Sequence, residues 1–198
     1  MQIRRQHNAT SGTVPYDSLT GTYTIDSVHS TLGFSVRHAM VTNVRGRFGT
    51  FEGLLSLDGT RPERSEAYVS VQTGSLDTGI KERDSHLIGP DFLNSSQYPL
   101  MAFRSTGVEQ SSEGRFLLTG ALRIKDAERP LDFDITFGGA TRDGDGNDRV
   151  GFEGTATLHR SDWNLNWNKA LEAGGVLISD KVQLLLDISA VRADASAA

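Results

Sequence analysis

An all-β chain, with about eight antiparallel strands closed into a barrel and one or two short helices, is the fold class that the sequence predicts. Three observations predict it. Apolar residues alternate with polar ones at period two along most of the chain. Turn signals separate these runs at hairpin spacing. Glycines lie inside runs that otherwise read as strand, at Gly46, Gly49, Gly53, Gly120, Gly151 and Gly154. Interior glycine weakens a strand, so these positions imply strong coiling, bulges or the close approach of another group.

Taken in order, residues 1–20 lack periodicity and read as a mobile tail. Leu32, Phe34 and Val36 then alternate with Gly33, Ser35 and Arg37. Ala67, Val69 and Val71 oppose Tyr68, Ser70 and Gln72. Between Gly79 and Tyr98 alternation is lost. Ile80, Arg83, Asp84 and Leu87 stand at helical spacing, which predicts a short helix over 80–88 ending near Gly89-Pro90. Strands resume with Leu118, Gly120, Leu122 and Ile124, then Leu131, Phe133, Ile135 and Phe137. Val150, Phe152, Gly154, Ala156 and Leu158 follow, and Val182, Leu184, Leu186 and Ile188 close the series. Asp58-Gly59, Glu113-Gly114, 126–130 and 143–148 mark reversals, with Pro130 entering the next strand at its edge. Residues 193–198 read as a second short tail, leaving one domain over 21–192. So long a sheet leaves two exposed edges unless it closes. Closure at eight strands leaves an interior for packed side chains or one slim ligand.

Composition narrows the function. In 198 residues, 20 Lys+Arg against 25 Asp+Glu give a formal charge of −5, which argues against a phosphate-neutralising nucleic-acid surface. The absence of Cys excludes disulfides, thiolate nucleophiles and iron–sulfur clusters. No run is long and apolar enough for a membrane-spanning helix, so no stable membrane insertion is expected. No apolar run follows Arg4 and Arg5, so no export signal is read and a cytoplasmic location is expected. His29, His38, His86 and His159 fit no metal-ligand spacing, and neither a metal nor a cofactor is expected. Asp143-Gly144-Asp145-Gly146-Asn147 lacks the Gly and Glu positions of a helix-flanked calcium loop and reads as a hairpin tip. Asp26, His29 and Ser30 make a poor triad, because adjacent strand residues face opposite ways.

Several segments nevertheless resemble the YceI-like family. They are His29-Ser30-Thr31-Leu32-Gly33-Phe34-Ser35-Val36-Arg37-His38 with Val44-Arg45-Gly46-Arg47-Phe48, and Arg83-Asp84-Ser85-His86-Leu87 with Asp91-Phe92-Leu93 and Tyr98-Pro99. Met101-Ala102-Phe103-Arg104-Ser105-Thr106, Leu118-Thr119-Gly120-Ala121-Leu122 and Arg160-Ser161-Asp162-Trp163 continue the resemblance. Three departures stand out: no export signal is read, where many members are periplasmic; Asn164 stands where the family usually has Gly; and 125–130 keeps the Pro but lacks the family's usual small residues before it. The resemblance implies an extended lipocalin-like barrel holding a polyisoprenoid or similar long-chain lipid without catalysis, and a homodimer.

Residues on the early strands supply the expected lining: Phe34, Val36, Phe48, Met101 and Phe103, with Leu87 and Phe92 at one mouth and Trp163 at another. An apolar stripe is equally what a packed core presents. Arg83 and His86 share a helix face and are the expected headgroup contacts. Burial of five isoprene carbons is worth about 4 kcal/mol gross. About five units therefore reach the affinity ceiling near −20 kcal/mol, so chain length follows from tunnel length rather than binding strength. Two other readings stay open: a barrel enzyme using Arg83, His86 or His159 as acid or base, and a solidly packed barrel whose outer surface binds proteins.

Overall fold

The computed structural model describes residues 15–172 and 174–193. Its strand segments are β1 (Gly21–Ile25), β2 (Thr31–His38), β3 (Thr42–Phe48), β4 (Phe51–Leu57), β5 (Glu66–Gln72) and β6 (Leu76–Asp77). After helix α1 (Lys81–Leu87) come β7 (Leu100–Ser112), β8 (Arg115–Ile124), β9 (Ala127–Arg142), β10 (Asp148–His159) and β11 (Ile178–Arg192). The ring runs β1-β4-β5-β7-β8-β9-β10-β11 and closes where β11 pairs back onto β1. These are the eight strands of an antiparallel barrel. The remaining segments are continuations: β2 extends β1 after a break at 26–30, β3 precedes β4 across 49–50, and β6 extends β5.

Closure is therefore complete at one end only. At the β1 end Tyr23 pairs with Arg192 and Ile25 with Ala190. At the opposite end β2 pairs with β3 and β11, but β6 pairs with β3 alone. The gap between β6 and β7 falls to segment 79–99, which carries α1. Thr73 stitches the seam, its N–H donating to Pro99 O at 2.9 Å and its hydroxyl to Tyr98 O at 2.8 Å.

Glycine explains how the rings fit. An added Cβ at Gly46 would overlap the Phe34 ring on β2, and one at Gly120 would overlap the Phe103 ring on β7. Each aromatic lies across a neighbouring strand that has no side chain there, which lets the sheet coil tightly.

Two boundaries differ from expectation. Residues 1–14 of the expected N-terminal tail lie outside the described residues, but Tyr16–Leu19 form a 3-10 turn with Leu19 buried. Tyr16 and Leu19 stand three apart, so one face of that turn meets the barrel. Tyr16 packs edge-on against Phe137, with ring centroids 5.6 Å apart. The reversal expected over 126–130 is a two-residue hairpin at Lys125-Asp126, with Lys125 at φ 57°. Pro130 sits inside β9, where only β8 borders the strand, so its missing N–H is tolerated. Of the expected C-terminal tail, 194–198 lie outside the described residues. Asn164 takes the left-handed conformation at φ 59°, so the turn survives without glycine.

Candidate functional site

The period-two pattern sends one face of every strand inward, and those faces do not meet. They enclose a cavity of about 640 Å³ walled almost wholly by aliphatic and aromatic side chains. That corrects the solid-barrel reading, which needed a filled interior. Buried clusters close the two ends. At the α1 end Phe103, Leu122, Phe133, Leu158 and Trp163 pack together. At the β1 end the cluster contains Leu19, Tyr23, Ile25, Leu55 and Ile188. Phe48, Met101 and Leu186 border both clusters and mark the waist of the chamber.

Phe34, Val36, Phe48, Met101 and Phe103 all line the cavity, and Leu87 and Phe92 line its α1 end. Trp163 does not. It is 2% exposed inside the α1-end cluster, and its indole Nε1–H donates to Leu122 O at 3.0 Å. A buried Trp needs that acceptor, and a place beside the β8 carbonyls supplies it. Trp167, four residues on, faces the cavity instead. The later strands contribute as much wall as the early ones, through residues such as Leu118, Ile135, Leu184 and Leu186. Their alternation was legible, but only ring closure brings them opposite Phe34.

Polar side chains line the cavity toward both ends, Asp58, Ser65 and Glu66 in the 58–66 loop and Glu82, Arg83, His86 and Arg160 at the α1 end. Arg83 lines the cavity, but its guanidinium is tied to Thr78, with Nε 2.7 Å from Oγ1 and Nη2 2.9 Å from the carbonyl. Asp84 accepts from the same Thr78 hydroxyl and, at 3.0 Å, from its N–H, so the start of α1 is anchored twice. His86 Nε2 lies 2.9 Å from Asp91 Oδ2, and its ring stands edge-on to Phe92 and Trp167 at 5.1 and 4.6 Å. This cluster latches the helix to the 164–177 loop.

Arg160 was not singled out as a site residue. It is 7% exposed, and its guanidinium lines the cavity. It donates to the carbonyls of Ser179 (3.0 Å), Trp167 (3.0 Å), Ile178 (3.3 Å) and Leu165. Among the described residues no carboxylate lies within ion-pair distance of it, and burial holds its guanidinium below the ordinary value. The only signal in the sequence was its place beside Ser161-Asp162-Trp163.

The other histidines lie elsewhere. His159, offered above as an acid or base, is paired with Asp180 at 3.0 Å on the outer wall, because it alternates with the inward Leu158. His29 Nδ1 lies 2.7 Å from Asp26, whereas the Ser30 hydroxyl bonds the Ser189 backbone, so the three form no triad. Asp143 accepts from the N–H groups of Asp145 and Asn147 and from Arg149, which commits it to shaping the hairpin tip. Among the described residues no group of three acidic or histidine side chains is placed to hold a metal ion.

Fold and chamber together define an antiparallel barrel built around an apolar interior. The sequence model of the YceI-like domain matches residues 23–190, and the chain belongs to the YceI-like family. A UPF0312 protein of Ectopseudomonas mendocina is 35% identical over 172 residues, 86% of this chain and 87% of that protein. The crystal structure of Burkholderia cenocepacia BcnA superposes with a TM-score of 0.74 at 19% identity, covering 83% of this chain and 98% of BcnA. A polyisoprenoid-binding domain from Saccharophagus degradans, implicated in plant cell wall breakdown, matches with a TM-score of 0.66 at 16% identity, covering 86% and 98%.

Proposed function

We propose that the protein is a non-catalytic carrier that holds a polyisoprenoid or similar long-chain amphiphile in its barrel. The hydrocarbon runs along the waist, and the polar head lies at the α1 mouth near Arg83, His86 and Arg160. One observation carries this reading: an apolar chamber of about 640 Å³ that the protein's own side chains leave open. That size suits a lipid-like ligand. At the roughly 24 cal/mol per Å³ found for voids opened in packed cores, such a space left dry costs on the order of 15 kcal/mol, comparable to the whole stability of a domain. An apolar occupant removes that cost. The family's binding-type fold and the Saccharophagus domain lend support.

Mass spectrometry of an organic extract from natively purified protein tests the reading, paired with uptake of prenyl alcohols and prenylquinones. A long-chain lipid in the extract and saturable uptake are expected. Leu186→Trp, which places an indole at the waist, is expected to cut uptake about tenfold or more while the barrel still melts cooperatively. An empty extract with no uptake overturns it.

A further inference from the structure

We infer that the β2–β3 hairpin tip is a docking surface for an anionic lipid bilayer, bringing the α1 mouth against the membrane. The inference rests on the carrier reading and names the partner from which the carrier loads. Met40 and Val41 at the tip are 57% and 70% exposed, and Val176 on the adjacent loop is 40% exposed. The two loops are held together, since Ala39 N–H donates to Leu177 O at 2.7 Å. Ile80, also exposed, begins α1 on the same rim. Residues close to them in the chain line the cavity: His38 and Val44 flank the tip, Leu177 follows Val176, and Glu82 stands two residues after Ile80. Of the seven exposed large apolar residues among the described residues, four, Met40, Val41, Ile80 and Val176, thus gather on this rim; the others are Val28, Leu54 and Leu100.

Charge says what covers them. The chain as a whole carries −5, yet 31–47 contains Arg37, Arg45 and Arg47 and no Asp or Glu. These three arginines alternate with the cavity-facing Phe34, Val36, Val44 and Phe48, so all of them lie on the outer face of the hairpin. Arg47 is 3.6 Å from Asp77, and Lys81 and Lys169 add exposed cations near the rim, against Glu82 and Glu172. Apolar tips backed by basic side chains are what an anionic bilayer surface binds: the tips enter the acyl boundary and each cation adds attraction to headgroups.

Flotation of the full chain with phosphatidylcholine vesicles, with and without phosphatidylglycerol, tests the inference at low and high salt. Wild type is expected to float with the anionic vesicles and to be released by salt. Met40→Asp with Val41→Asp is expected to lower the bound fraction about tenfold. Met40 sits at φ 64°, a conformation Asp tolerates, and a melting curve for this variant and for Val41→Asp alone checks that folding is intact. Val28→Asp changes a still more exposed apolar residue away from the mouth and is expected to float as wild type does. Failure of wild type to float on either vesicle overturns the inference. So does self-association that Met40→Asp with Val41→Asp abolishes without any flotation, which would assign the patch to a second copy. Uptake of a prenyl alcohol from detergent, measured on the same proteins, separates the two readings: uptake without flotation sinks the docking surface alone, and no uptake sinks the carrier.

Discussion

The two ends of the barrel are closed by different materials. At the β1 end backbone hydrogen bonds join β1 to β11, and the Tyr16–Leu19 turn caps the interior. Arg149 braces the outer wall there, 2.6 Å from Asp26 and 2.8 Å from Asp143. Arg192 donates to the carbonyls of Ser18 and Thr20 at 2.8 and 2.6 Å and stacks over the Tyr23 ring, drawing the turn onto the barrel. At the α1 end the ladder stops at β6. A seven-residue helix without a side-chain cap, held by Thr78 and the His86–Phe92–Trp167 cluster, covers the rest. A seam of side-chain contacts opens locally at lower cost than a strand ladder, so the α1 end is the one expected to open first.

The comparison is broken most forcefully at Trp163, the centre of the α1-end core. Trp163→Ala removes the largest fully buried side chain and leaves Leu122 O without its donor, with an expected loss of about 3–5 kcal/mol in urea unfolding. A loss below about 1 kcal/mol would mean that this core does not support its end of the barrel. Next comes Gly120→Ala, whose Cβ would meet both the Phe103 ring and Arg104 O. Backbone gives way less readily than a side chain, so a cost of about 1–3 kcal/mol is expected from the urea midpoint.

Arg149→Met sharpens the contrast through pH. Its hydrogen bonds hold the Asp26 and Asp143 carboxyls well below the ordinary carboxylate range. Folded-state values below the unfolded ones mean that the clamp acts fully above about pH 4 and fades as the pH falls through the folded values. The melting temperature of Arg149→Met is expected to lie below that of wild type near pH 7, with the gap narrowing in acid. A gap independent of pH would refute the electrostatic origin of the brace. The smallest effect on stability belongs to His86→Ala, at a partly exposed latch. Its melting temperature is expected to stay close to wild type while release of a bound prenyl fluorophore becomes several-fold faster by stopped flow. Unchanged release would place the exit elsewhere.

How much of this was legible depends on the range of the interactions. Alternation along β8 to β11 marked their inward faces because period two is a local property. The helix over Lys81–Leu87 was visible because loss of alternation and the Gly89-Pro90 stop are also local. Trp163 was misplaced because an apolar aromatic near a turn reads alike whether it faces a chamber or a packed core. The carbonyl of Leu122, far off in sequence, decided between them. Arg160 was passed over for the same reason, since nothing near it in sequence shows that four carbonyls from 165–179 converge on its guanidinium. His159 stays outside the chamber because it alternates with the inward Leu158, a direction that the period-two pattern of β10 already carried.

By itself the chain's pattern of apolar and polar residues determined an all-β barrel with one face of each strand turned inward, because side-chain direction alternates along any strand. Whether those inward faces touch or stand apart was decided only in three dimensions. Ring size, the coiling allowed where Phe34 and Phe103 lie across glycines, and the gap between β6 and β7 set the separation of the walls, and each arises between residues that the linear order keeps apart.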